Sequence, residues 1–378
     1  MHNPAPSSSP PPSSRLALGV LLRRLFAEIV LPNRVFIALL AAGFLLSGAV
    51  YQDAFVARWL GFLFAAYAAV ANDSIQTIGT FIASNRKTKW YWLWLFIGGI
   101  FVATVAYSWA TFGGDVSYER LSSKGFSQAP ESFAYLQVVA PLILVILTRM
   151  RMPVSTTFLL LTSFATNVSS IGGVLFKSLT GYVLAFVVAA VVWGLLAHRM
   201  DKWFTGEAHP AWRIGQWITS GLLWSVWIQQ DAANIAVYLP RALSTLEFII
   251  FASVVFLGLG ILFKSGGEKI QQVVDEKSSV IDVRPATIID LVYAVILYYF
   301  KIQSKIPMST TWVFLGLLGG RELMLSLKSL GRRDMASTLR IIGRDVGFAF
   351  IGLAVSVALA AMVNEKFAAE LLSAVGMG

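Results

Sequence analysis

Two short polar segments lie inside apolar runs, and their residue types could bind ions. The first is Asn72-Asp73-Ser74-Ile75-Gln76 and the second is Gln230-Asp231-Ala232-Ala233-Asn234. Aligned on their aspartates, both read amide–Asp–x–x–amide. A carboxylate and amide carbonyl oxygens together can ring a hard cation such as sodium. The N–H groups of the same amides can donate to an oxyanion. Positions three apart share a helical face, so each segment points an amide and an acidic region the same way. An aspartate deep in a bilayer costs roughly 2.5–3.5 kcal/mol on insertion scales, and it persists where it faces a cavity or holds a cation.

A second pair of segments supplies hydroxyls: Pro153-Val154-Ser155-Thr156-Thr157 and Pro307-Met308-Ser309-Thr310-Thr311. Proline lacks an N–H and disfavours helical geometry in the residue before it, so each marks a break or a helix start. A helix beginning there aims backbone N–H groups, its positive dipole end and the hydroxyls of Ser155, Thr156 and Thr157, or of Ser309, Thr310 and Thr311, at whatever lies before it. Two such starts entering from opposite faces would converge on one tetrahedral anion. Asp231 follows Asp73 by 158 positions and Pro307 follows Pro153 by 154. Two pairs in the same order at nearly one offset mark an internal duplication.

The elements carrying these segments must be membrane helices. Of 378 residues, 57% are apolar and 13% charged, with a mean hydropathy of +0.70. This excludes an ordinary soluble enzyme. Cysteine is absent, and histidine occurs only at His2, His198 and His209, which argues against disulfides, thiolate chemistry and a histidine-based metal centre. The net charge of +10 is read as Lys/Arg-biased loops of a membrane chain rather than as a nucleic-acid surface.

Apolar runs predict about eleven spans, at 35–52, 59–84, 90–111, 133–150, 154–176, 178–198, 214–241, 246–264, 286–302, 307–325 and 345–363. The Pro/Ser-rich residues 1–14 are expected to be a disordered cytoplasmic tail, followed by an amphipathic surface helix within 1–34. Residues 35–58 then form an extra transmembrane helix and loop, 59–198 a first repeat, 199–213 a cytoplasmic linker, 214–363 a second repeat and 364–378 a C-terminal tail. Basic residues concentrate on the side that holds the amino terminus, which places that terminus in the cytoplasm. Arg149 and Arg151 before Pro153, and Lys301 and Lys305 before Pro307, are read as interfacial anchors. An odd number of spans in the first repeat forces the second to enter from the opposite face. The expected fold is therefore an all-α polytopic membrane protein of two inverted-topology repeats with broken helices, as in many secondary transporters. Asp290 ranks behind the paired aspartates, because no acid stands near its counterpart Gln137.

The paired motifs resemble those of the inorganic phosphate transporter (PiT) family, which carries Gly-Ala-Asn-Asp-x-x-Asn and Pro-x-Ser-Thr-Thr-His in each half. The matching residues are Ala71, Asn72, Asp73 and Gln76 with Pro153 to Thr157, then Gln230, Asp231 and Asn234 with Pro307 to Thr311. Gln76 and Gln230 stand where the family has asparagine, Phe158 and Trp312 where it has histidine, and Val237 where it has glycine. The resemblance implies uptake of phosphate, coupled to sodium or protons, by alternating access; related members carry sulfate.

The expected partners are inorganic phosphate or sulfate, sodium or protons, and membrane lipid, without nucleic acid. No cofactor beyond a sodium ion at Asp73 and Asp231 is expected. A homodimer is compatible with this reading, and the expected location is the bacterial inner (plasma) membrane. Two other classes compete. An intramembrane hydrolase would use the two aspartates as an acid–base pair, but nothing supplies a nucleophile with its base and orienter, so no enzyme is expected. A sensor or scaffold on a transporter fold would bind anion without flux.

Overall fold

The structure, a computed structural model, describes residues 33–122, 126–150, 152, 154–165, 168–265, 282–328 and 334–374. The expected tail and surface helix of 1–32, and Pro153, lie outside the described residues. The chain divides into two units, residues 1–49 and 50–378. The first unit contributes nearly all of α1, Arg34–Val50, an apolar helix in which Ser47 bonds back to the Gly43 carbonyl.

Every regular element of the second unit among the described residues is helical: α2 Ala54–Ser84, α3 Trp90–Thr111, α4 Tyr135–Arg149, α5 Val168–Trp203, α6 Pro210–Ala236, α7 Thr245–Lys264, α8 Val283–Gln303, α9 Thr310–Leu327, α10 Met335–Val363 and α11 Glu365–Ala374. Local chemistry sets several starts. Asp53 caps α2 by accepting from the amides of Phe55 and Val56, α6 begins at a proline, and Ser244 with Glu247 forms a capping box on α7. Six of the helices are long and apolar enough to cross a membrane, namely α2, α3, α5, α7, α8 and α10.

The runs at 154–176 and 178–198 resolve differently from the expectation. Thr157–Leu161 is a single π turn, Thr162–Phe164 a 3₁₀ turn, and one 36-residue helix, α5, then covers both remaining stretches. The first motif therefore sits on a short broken segment whose residues 154–162 are all buried. Hydropathy reads burial in protein and burial in lipid alike, which is why this run looked like a span. Part of the expected C-terminal tail forms α11.

Residues 54–203 run as α2, α3, α4, the broken segment and α5, and residues 210–363 as α6, α7, α8, α9 and α10. The broken segment lies against α10, as α9 lies against α5. On α3 and α7 the reciprocity reaches single residues. A Cβ on Gly98 would meet the Phe256 ring at 2.5 Å, and a Cβ on Gly260 would meet the Trp94 ring at 3.0 Å. Phe256 follows Trp94, and Gly260 follows Gly98, by the same 162 positions. The Trp94 and Phe256 rings themselves stand 4.7 Å apart. Phe101 of α3 meets Phe251 of α7 at 6.1 Å, so numbers rise along one helix as they fall along the other and the pair is antiparallel. α2 and α6 show the same sense: Asn85 bonds Gln216 at 2.8 Å, while Gly61 faces Tyr238.

α9 owes its position to close backbone approach. A Cβ on Gly316 would run into the Tyr182 carbonyl of α5, and one on Gly320 into the Phe186 carbonyl. This is a Gly-x-x-x-Gly face, the device that lets membrane helices approach without a side chain between them.

Candidate functional site

Asn72 and Asp73 belong to α2, in a stretch lined with alanine and packed on α4, α6 and α7. Both are buried. Asn72 donates to the Asp73 carboxylate at 2.8 Å and to the Thr156 hydroxyl at 3.3 Å, and its carbonyl oxygen accepts from Gln76 at 3.2 Å. The first acidic segment and the first hydroxyl segment are thus in contact, 84 residues apart in sequence.

Gln230, Asp231 and Asn234 lie on α6, all buried. Asn234 donates to the Asp231 carboxylate at 2.6 Å and to the Thr157 hydroxyl at 3.2 Å. Thr157 stands 3.3 Å from the Asp231 carboxylate and donates to the Met308 carbonyl at 3.0 Å. Thr310 faces Asp231 as Thr156 faces Asp73. Each aspartate therefore meets a threonine of its own half. Thr157 also reaches both the second acidic segment and the second hydroxyl segment. Asp73 and Asp231 belong to one buried polar cluster, linked through Asn72, the adjacent Thr156 and Thr157, and Asn234.

The serines have a different task. Ser155 accepts from the Phe158 amide and Ser309 from the Trp312 amide, both at 3.2 Å. Each caps the turn that follows it, and this fixes where the threonines point. Ser309 is held in turn by its own amide, which donates to Ser178 of α5 at 2.7 Å. Tyr293 of α8 donates to the Thr310 carbonyl at 2.9 Å. Gln230 donates to the Leu297 carbonyl at 3.1 Å. Thr311 is buried, and Gln76 is half-buried.

Around this cluster, buried polar atoms without a partner among the described residues include one oxygen each of Asp73 and Asp231, the carbonyl oxygens of Gln230 and Asn234, and the indole nitrogen of Trp312. Such atoms are costly to leave unmade. The oxygens among them are the donor type that a hard cation takes. At the positions that follow the threonines, Phe158 and Trp312 meet ring to ring at 5.4 Å and join the two hydroxyl segments through an apolar contact.

Sequence reading missed two basic residues. Arg120 and Lys177, basic residues near span ends that no motif singled out, are both buried. Arg120 donates to the carbonyls of Ser304 (2.8 Å), Ile306 (3.3 Å) and Gln229 (3.3 Å). Lys177 reaches Ser304 at 3.0 Å and Ile306 at 2.6 Å. They clamp the strand of chain that leads into Pro307, and Arg120 also ties it to the residue before Gln230. Burial lowers the Arg120 guanidinium to about 10, opposed by the Asp231 charge. Tyr118 and Glu119, just before Arg120, have φ of 54° and 58°, a left-handed geometry that costs non-glycine residues about 1 kcal/mol or more each. Asp115 holds this turn by accepting from the Ser117 and Glu119 amides. Lys177 interrupts an otherwise apolar stretch, and that was the available signal. Of the expected anchors, Lys305 pairs with Glu119 at 2.5 Å and Lys301 lies over the Tyr118 ring at 5.3 Å.

No family model matches the chain, and no curated protein matches it. Among solved structures it is similar to "The sodium-dependent phosphate transporter", with 15% sequence identity and a TM-score of 0.58, over 84% of this chain and 99% of that chain. At that identity the likeness establishes a shared fold.

Proposed function

We propose that the chain is a secondary transporter of inorganic phosphate or a similar tetrahedral oxyanion, coupled to sodium or protons, working by alternating access between inverted repeats. The observation that carries this reading is the set of partnerless buried oxygens on Asp73, Asp231, Gln230 and Asn234, drawn from both halves onto helices joined through Thr157. A monovalent cation among them would offset the repulsion of the two carboxylates. The first turns after Ser155 and Ser309 offer the anion their amide ends and threonine hydroxyls. Cation and anion then stabilise each other, which is how one gradient drives the other solute. The solved transporter that shares the fold is described as sodium-dependent and phosphate-carrying, which supports this pairing of ions.

Inversion is supported by packing. α3 and α7 are antiparallel and exchange equivalent contacts. A two-fold axis that relates antiparallel helices runs across them, hence in the membrane plane when they span it. The Trp94–Phe256 contact then lies on the pivot about which the halves rock. Within this reading sulfate is the alternative cargo.

The test is uptake of labelled phosphate and of labelled sulfate into proteoliposomes, with sodium and proton gradients imposed in turn. Wild-type protein accumulates one oxyanion under one gradient, while Asp73→Asn and Asp231→Asn insert normally and lose uptake. Uptake unaffected in both variants removes the reading. Phosphate binding without flux would instead assign the chain to a sensor built on this fold.

A further inference from the structure

Asp290 stands apart from this constellation. It is a carboxylate of α8, 1% exposed, wedged between the two helices that bear the paired aspartates. Thr80 of α2 donates to one of its oxygens at 2.6 Å, and Ser220 of α6 donates to the other at 2.5 Å. Thr80 lies seven residues after Asp73, about 10 Å along α2, and Ser220 eleven residues before Asp231, about 16 Å along α6. We propose that Asp290 is a proton-binding site of the carrier, loaded and emptied on one side of the pathway only. The proposal rests on the transport reading above and deepens it by naming a coupling group.

Charge compensation argues for a proton. Asp73 is held by Asn72, Asp231 by Asn234, Arg284 of α8 by Asp282, Lys177 of α5 by backbone carbonyls, and Arg321 of α9 by Glu322. Lys301 lies at the far end of α8 over the Tyr118 and Tyr298 rings. Arg86, just past α2, and Arg213 of α6 are exposed. The side chains that reach Asp290 from α2 and α6 are thus hydroxyls, not cations. A lone buried charge is expensive in such a place, and a proton removes it, with one of the two hydroxyls turning to accept from the new O–H.

A metal ion is less favoured than a proton, because each carboxylate oxygen already accepts from a hydroxyl and no partnerless oxygen is found on Asp290, Thr80 or Ser220. The partnerless oxygens of this region all belong to the Asp73–Asp231 site or its immediate neighbour Gln229. The two acidic sites are therefore chemically different: one offers open oxygens to a cation, the other only a carboxyl to a proton.

Position gives the proton a route and a consequence. Beyond Thr80, a polar band of Ser84, Asn85, Gln216 and Trp217 runs to the ends of α2 and α6, linked by Asn85–Gln216 at 2.8 Å and Trp217–Asn85 at 3.1 Å; Gln216 also bonds Ser84. The first half has no such acid. Gln137 of α4 instead accepts from the Ala134 amide and donates to the Ser163 carbonyl. Protonation changes how Asp290 bonds to Thr80 and Ser220, and so biases the placement of α2 against α6 on one face alone.

The experiment uses the full chain in lipid, wild type against Asp290→Asn. Labelled phosphate uptake under a fixed sodium gradient is followed across acid to alkaline pH, and the carboxyl C=O band is titrated by infrared spectroscopy. Wild-type uptake is expected to change several-fold across the range. In Asp290→Asn the profile flattens and one titrating carboxyl band disappears. A variant with the wild-type pH profile, or with the wild-type band intact, overturns the proposal. Wild type without any uptake sinks the transport reading, and the infrared titration still decides Asp290. Should Asp290→Asn fail to fold, Thr80→Val with Ser220→Ala is expected to displace the band and the pH profile; both unmoved overturns it too.

Discussion

Thr157→Val tests whether the two halves share one site. Valine keeps the shape and removes the hydroxyl, which lies 3.3 Å from the Asp231 carboxylate, donates to the Met308 carbonyl at 3.0 Å and accepts from Asn234 at 3.2 Å. One donor and one acceptor disappear from a site where Thr157 is 2% exposed, so water does not replace them. Leaving a buried polar group unmade costs about 1–3 kcal/mol. At 1.4 kcal/mol per tenfold, this is a loss of roughly 5- to 150-fold in the apparent affinity for the coupling ion or in uptake rate. Thr157→Ser restores the hydroxyl and is expected to recover most of the activity. The assay is initial-rate phosphate uptake into proteoliposomes against sodium concentration, with the amount of folded, inserted protein checked for each variant. Wild-type kinetics in Thr157→Val would refute the reasoning, because the first half would then add nothing to the second half's carboxylate.

Gly320→Leu forces a side chain into the Phe186 carbonyl; overpacking costs about 1–3 kcal/mol, read as a lower thermal midpoint in detergent together with reduced uptake as α9 shifts. Arg120→Gln and Lys177→Met each strip donors from the Ser304 and Ile306 carbonyls, and their shared acceptors make the double variant non-additive by about 0.5 kcal/mol or more in thermal or denaturant unfolding. Burial raises the Asp282 carboxyl, but bonding to Arg284 outweighs it and leaves the group below the ordinary carboxylate range. Its stabilising contribution is therefore present above the unfolded value of about 3.9 and is lost as pH falls through the lower folded value. Asp282→Ala, which also removes the cap on α8, is expected to cost about 1 kcal/mol or less at neutral pH given solvent screening, and the gap from wild type should close in acid.

The duplicated motifs were legible because polar residues stand out in apolar runs and because two pairs kept one spacing. The structure brings Asn72 to Thr156 and Asp231 to Thr157, so acidic and hydroxyl segments meet although they are far apart in sequence. The shape of the first hydroxyl segment was not legible. Phe158-Leu159-Leu160-Leu161 reads as lipid-facing, and only tertiary packing reveals that it faces protein on every side. Arg120 and Lys177 were missed because a basic residue near a span end has two fates, interface or interior, and the difference lies in which carbonyls a distant loop brings near. Asp290 was visible as an oddity, but its hydroxyl partners come from helices 70 and 210 residues away.

The first hydroxyl segment is a single π turn followed by a 3₁₀ turn, whereas its counterpart α9 is a regular helix of 18 residues. A carrier whose halves trade roles in each cycle would exchange these shapes as well. Its opposite-facing form would then wind residues 156–164 into a longer regular coil while the start of α9 loosens. Spin labels flanking the two segments would report that exchange as one distance distribution lengthening while the other contracts.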